Sequence, residues 1–132
     1  MAEPTGSTDD ASRADHKEDA ARVERESVGD VMVLVVGNTN VYPKQAREVA
    51  RAVGGAMLSA TPPKVLVDLS RVEFICSAFI GQLIDLHKEA RAAGGDLKIH
   101  VTGEHVAYTM KLVKMDTIVD VSADRQELIE AF

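Results

Sequence analysis

Residues 64–83 read KVLVDLSRVEFICSAFIGQL and carry three structural signals in succession. Val65-Leu66-Val67-Asp68-Leu69 is rich in β-branched and aliphatic residues and predicts a buried strand. A polar break at Ser70-Arg71 separates it from a second, mostly apolar run, Val72 to Ile75. At Cys76-Ser77-Ala78 an amphipathic helix opens, in which Phe79, Ile80, Leu83, Ile84 and Leu86 recur at helical spacing. A small hydroxyl residue thus falls at a helix start, where backbone N–H groups lack intrahelical partners and the dipole is positive. Such a place suits a helix cap or a phosphorylated serine.

Working upstream, Val23 to Val28 and Val31 to Val36 read as two strands separated by Gly29-Asp30, a plausible hairpin turn. The first is weakly patterned. Gly37-Asn38-Thr39-Asn40 supplies turn formers. A helix follows Pro43, which is tolerated in a first helical turn, with Ala46, Val49, Ala50, Val53 and Met57 on its apolar face. Thr61-Pro62-Pro63 ends that element. Downstream, the helix opened at Ser77 runs to about Ala93, and Gly94-Gly95 stops it. Leu97 to Val101 predicts a strand and Glu104 to about Val113 a short helix, with Val106, Met110 and Val113 along one side. Ile118 to Val121 predicts a final strand and Ala123 to Phe132 a closing helix, with Leu128, Ile129 and Phe132 inward. Strands and helices alternate after an initial hairpin, so the class is α/β: a mixed sheet packed against about four helices.

At 132 residues the chain is long enough for one domain with a single core. Its 4% aromatic content and lack of Trp predict an aliphatic interior. A net charge of −6 disfavours nonspecific nucleic-acid binding, which relies on Lys and Arg to neutralise phosphates. Residues 1–20 carry Glu3, Asp9, Asp10, Asp15, Glu18 and Asp19 against Arg13 and Lys17, six acids less two bases or −4. With almost nothing apolar to bury, they read as a disordered acidic tail, solvated or able to meet a basic partner, ahead of a folded domain over 21–132. A lone cysteine forms no internal disulfide, which fits a reducing, cytoplasmic setting. No signal peptide is read at the start, and no apolar run approaches the ~20 residues that span a bilayer.

The order strand, Val67-Asp68-Leu69, Phe74-Ile75, Cys76-Ser77-Ala78-Phe79-Ile80-Gly81, helix resembles the signature of the STAS domain, the sulfate-transporter and anti-sigma-factor-antagonist family. The likeness continues through Leu86 to Gly95 and the strand Leu97-Lys98-Ile99 and covers roughly Val23 to Phe132. It implies a STAS-like fold. It also implies a docking face on an anti-sigma factor that is a serine kinase of the histidine-kinase-like ATPase type. In that family the segment reads Asp-Ser-Ser-Gly-Leu-Gly, and the kinase phosphorylates the second serine. The matching position here is Ala78, which has no hydroxyl. Cys76 replaces the family's aspartate and Phe79 its glycine, while Asn40 stands where an early loop often carries an acid. The resemblance therefore implies a fold and a binding role that carry over and a phosphorylation switch that does not.

The candidate partner-binding and switch region is Asn38, Asn40, Cys76, Ser77, Ala78 and Phe79. Ser77 is the substitute phospho-acceptor, with a helix N-cap as the favoured and compatible alternative; a cap contributes ~1 kcal/mol relative to alanine. Cys76 reads as a small buried hydrophobe in preference to a reactive thiol, since no second cysteine is available to resolve it. Phe79 is either a solvent-facing contact or a core residue. Asp68 at a strand end reads as a cap or turn residue; a receiver-type phospho-acceptor would need paired acids, which Asn38 and Asn40 do not supply. His87, with no carboxylate at matching helical spacing, His100 and His105 form no convincing metal site, and no phosphate loop or nucleophile–base pair is evident. Neither an enzyme nor a cofactor is expected. The leading expectation is an anti-sigma-factor antagonist-like interaction module in bacterial transcriptional or stress signalling, without direct membrane insertion. The rivals are an accessory STAS subunit of a membrane transport complex and a small-ligand or nucleotide sensor.

Overall fold

A computed structural model describes residues 19–132. The expected acidic tail over 1–20 therefore lies outside the described residues, apart from Asp19 and Ala20. A five-stranded sheet runs in the order β1-β2-β4-β6-β7, formed by Val23–Val28, Val31–Val36, Lys64–Asp68, Asp96–His100 and Asp120–Ser122. β1 is antiparallel to β2, and every other pairing in that sheet is parallel. The hairpin turns on Gly29, whose φ of 61° suits glycine. The sheet is mixed, as the alternation of elements predicts.

Three helices cover one face: α1 (Pro43–Met57), α2 (Ser77–Ala92) and α3 (Glu104–Leu112). The predicted stripes do the packing: Ala46, Val49, Val53 and Met57 of α1 and Phe79, Ile80, Leu83 and Leu86 of α2 join Met32, Leu34, Val36, Val65 and Val67 in one core. A short helix, α4 (Arg125–Glu130), closes the opposite face with Leu128, Ile129 and Phe132 against Val31, Val33, Val35 and Leu66. Because helices lie on both sides, β2 is buried at all six positions and shows no polar alternation. β1, at the edge, is the reverse: Glu24, Arg25, Glu26 and Ser27 are all exposed.

The end of α2 follows the predicted stop closely. Gly94, at a φ of 84°, donates to the Arg91 carbonyl and Gly95 to that of Ala90, which closes the helix in the manner of a Schellman motif. Two predicted elements differ. Val113 does not face inward but is 47% exposed, because Lys114 turns into the left-handed region and ends α3 at Leu112. A 3₁₀ turn at Met115–Thr117 then occupies the chain, so Ile118 stays exposed and the last strand starts at Asp120.

Candidate functional site, the paired helix starts

A second, two-stranded sheet builds the site. β3 (Asn40–Val41) pairs in parallel with β5 (Phe74–Ile75), Asn40 opposite Phe74 and Val41 opposite Ile75. The Thr39 carbonyl accepts from the Glu73 and Phe74 amides, and the Val41 carbonyl from that of Cys76 at 3.1 Å. Each strand runs straight into a helix. Val41 is followed by Tyr42 and Pro43, which start α1; Ile75 is followed by Cys76 and Ser77, which start α2. Parallel pairing thus sets two helix N-termini side by side.

The two starts are built alike. Tyr42 and Cys76 are the cap residues, both in extended backbone conformation. The Tyr42 amide donates to Gln45 Oε1 at 2.9 Å, while the Cys76 side chain makes no capping bond. Ser77 is consequently the first helical residue and not the cap that its hydroxyl suggests. A cap needs extended backbone with a carbonyl already accepting the first helical bond, and that is Cys76, whose carbonyl receives the Phe79 amide at 3.1 Å. Ser77 and Ala78 are both exposed at this end. Cys76 is half-buried and packs against the main core, in keeping with an aliphatic-like role.

Two residues of the expected surface are interior. Phe79 is fully buried in the core beneath α2, which settles its two readings in favour of packing: it is three residues on from its cap, on the side of α2 that faces the sheet. Asn38 is 2% exposed; its Oδ1 accepts from the Arg22 amide at 2.7 Å and its Nδ2 donates to the Ala20 carbonyl at 3.0 Å. Buried and bonded to both groups of an incoming segment, the side chain is held inside the fold and away from a partner's surface. Asn40, half-buried in β3, lies beside Phe74 at the foot of α2.

Sequence reading missed Gln45, fully buried in α1, which bridges the Tyr42 amide and the Asp19 carbonyl. It also missed a run of rings beside the junction. Tyr42 and Phe74 lie 5.3 Å apart, and Phe74 and His105 stack at 6.2 Å. The Gln45 signal was available as glutamine three residues after a cap; the ring contacts join three elements and leave no local trace.

Asp68 ends β4 as a turn residue: its Oδ1 accepts from the Ser70 amide at 2.9 Å. The same atom lies 3.1 Å from His100 Nδ1, and Arg125 approaches Oδ2 at 3.7 Å. Burial works to raise the Asp68 carboxyl, but the bonds from Ser70 and the neighbouring His100 outweigh it and hold the carboxyl below its ordinary value. His87, for which helical spacing offers no acid, meets Asp96 from β6 at 3.4 Å. Among the described residues no group of three His, Cys, Asp or Glu side chains is placed to hold a metal ion. No helix among them is long and apolar enough to cross a membrane. A cavity of about 330 Å³ lined by Val101, Ala107, Met110, Asp116 and Val121 shares no residue with the junction.

The fold is shared with known proteins. An anti-sigma factor antagonist from Mycobacterium paratuberculosis superposes with a TM-score of 0.77 at 19% identity, over 88% of this chain and 97% of that one. An anti-sigma-factor antagonist (STAS) domain protein from Planctomyces limnophilus gives 0.71 at 24%, over 85% and 96%. The anti-sigma factor antagonist SpoIIAA in its unphosphorylated form gives 0.67 at 14%, over 83% and 95%. These similarities are similarities of fold. No curated protein sequence matches. The family model described as "Mlab, STAS domain" matches residues 19–120, most of the chain. On that match, with the fold behind it, the chain belongs to the STAS domain family.

Proposed function

We propose that the chain is an anti-sigma-factor antagonist-like interaction module that docks on a signalling protein, an anti-sigma factor or serine kinase of the histidine-kinase-like ATPase type. Its docking face is the exposed start of α2, at Ser77 and Ala78, with the outward side of that helix at Gly81 and Asp85 and the neighbouring loop around Thr39 and Asn40. The observation that carries this is the side-by-side presentation of two helix starts with Ser77 and Ala78 open to solvent. Names of the structural neighbours support the partner class. Buried Phe79 and Asn38 belong to the scaffold under the face.

The usual switch does not fit the face. Ala78 has no hydroxyl, so any phosphate at this helix start falls on Ser77, where it would gain from the positive helix end and repel an acidic partner. Lacking the family acceptor, the module binds constitutively or as a scaffold. The test is capture of the tagged protein from its native cells with identification of what accompanies it, followed by binding measured with and without ATP. Recovery of an ATPase-type kinase, with complexes that persist in ATP, is the expected result. Transporter subunits in its place would move the function to a transport assembly, and release by ATP would contradict constitutive binding.

A further inference from the structure

Helix α1 carries Lys44, Arg47 and Arg51 at i, i+3 and i+7, all exposed and on one stripe. Glu48, at i+4 from Lys44 and i−3 from Arg51, is the one acid of α1 and borders the stripe. Like charges at this spacing repel, and Lys44 stands in the first turn, where the dipole disfavours a cation. No acid occupies that first turn. Every other described arginine meets a carboxylate or a hydroxyl: Arg22 with Asp19, Arg25 with Ser59, Arg71 with Glu24, Arg91 with Asp96 and Arg125 with Glu26. Arg47 and Arg51 join no ion pair among the described residues.

The entering chain passes directly beside this stripe. Gln45 Nε2 donates to the Asp19 carbonyl, and Glu48 Oε1 accepts from the Ala21 amide at 2.8 Å. Position 48 adjoins positions 44 and 51 on the helix surface. Residues 1–18 therefore join the described structure at the border of the basic stripe. Their side chains hold Glu3, Asp9, Asp10, Asp15 and Glu18 against Arg13 and Lys17, five acids less two bases or −3. The reach is ample. From Gln45 to Arg51 is roughly 9 Å of helix at 1.5 Å per residue, whereas eighteen residues extend to about 60 Å.

We propose that the acidic segment over residues 1–18 docks in cis on the Arg47 and Arg51 stripe of α1.

The test uses the full chain carrying Cys76→Ala and Ser7→Cys, with a nitroxide on the new thiol and amide signals followed by NMR. Signals of residues 44–51 are expected to broaden at low salt. They are expected to recover in Arg47→Glu/Arg51→Glu, in Asp9→Asn/Asp10→Asn/Asp15→Asn, and at about 1 M salt, where the Debye length falls to roughly 3 Å. Should the arginine variant fail to fold, the asparagine variant examines the same contact from the other side. Broadening centred elsewhere, or none above that of the high-salt sample, overturns the proposal. Broadening seen only when spin-labelled chains are mixed with separate isotope-labelled chains assigns the contact to a second copy, and also overturns it.

Discussion

His100 and Asp68 stand opposite each other in the parallel register of β6 and β4, and the imidazole of one spans from the carboxylate of the other to the Ala123 carbonyl. Nδ1 is 3.1 Å from Asp68 Oδ1 and Nε2 is 3.2 Å from the carbonyl oxygen. One buried ring thereby ties the end of β4 to the segment that leads into α4, with Arg125 closing on the same carboxylate from the helix. The lid over the second core is fastened by polar contacts as well as by Leu128.

Acid should loosen that fastening. The folded-state value of the Asp68 carboxyl lies below its ordinary 3.8, so its contribution to stability is present above that value and lost as pH falls through the folded one. Denaturant unfolding of the wild type and Asp68→Asn, followed from neutral pH downward, should show the wild type losing more stability than the variant below about pH 4. Parallel curves would assign the acid sensitivity to other groups. At neutral pH the substitution should cost ~1–3 kcal/mol, the usual penalty for disturbing a buried hydrogen-bonded polar group.

Phe79 and Ser77 should separate stability from binding. Phe79→Ala removes a fully buried ring and should cost ~3–5 kcal/mol in unfolding free energy. Ser77→Ala alters an exposed first-turn hydroxyl with no capping bond and should stay within about 0.5 kcal/mol. A marked drop in melting temperature for Ser77→Ala would show that the hydroxyl is structural after all.

Gly95 and Gly55 should respond to alanine in opposite directions. A Cβ on Gly95 would sit 1.8 Å from the Pro63 carbonyl oxygen, which is held by the Asp96 amide at 3.0 Å, so neither side can yield cheaply. At Gly55, inside α1, a Cβ meets nothing within 4 Å. Gly95→Ala should be strongly destabilising, while Gly55→Ala should gain roughly 0.5–1 kcal/mol from helix propensity. Thermal melts of the two variants check both signs at once.

Asn38→Ala should cost ~1–3 kcal/mol, because the Arg22 amide and the Ala20 carbonyl would be left without their side-chain partner. Hydrogen exchange should quicken first at the Arg22 amide. An unchanged rate there would mean that Asn38 is not what holds the incoming segment.

Where a signal is carried by neighbours in sequence, residues alone placed it well. Both hairpin strands end where the turn formers Gly29 and Gly37 put them, and the apolar stripes of α1 and α2 are the buried faces. What failed depends on contacts between distant residues. A two-residue strand such as Asn40–Val41 is too short to show a period and exists only because Phe74–Ile75 lies beside it. The pairing of His100 with Asp68, 32 residues apart, follows from sheet register. At the candidate site the helix start was displaced by one residue, since a serine is a good cap by chemistry but backbone geometry gave that place to Cys76. Asn38 was misplaced for a related reason: a polar residue in a turn is usually solvated, and this one is buried by a segment that contacts it from 16 and 18 positions away.

Glu24, Arg25, Glu26 and Ser27 made β1 the least recognisable strand, and they also decide how the molecule behaves in a crowd. β1 is an outer strand of the sheet, with a row of backbone donors and acceptors that another chain could extend. Charged side chains on both faces of that rim would have to be desolvated before another strand could add, which disfavours edge-to-edge pairing. Replacing them by valine and threonine would strengthen the strand's pattern and remove that protection, leaving an edge of the composition that favours strand addition.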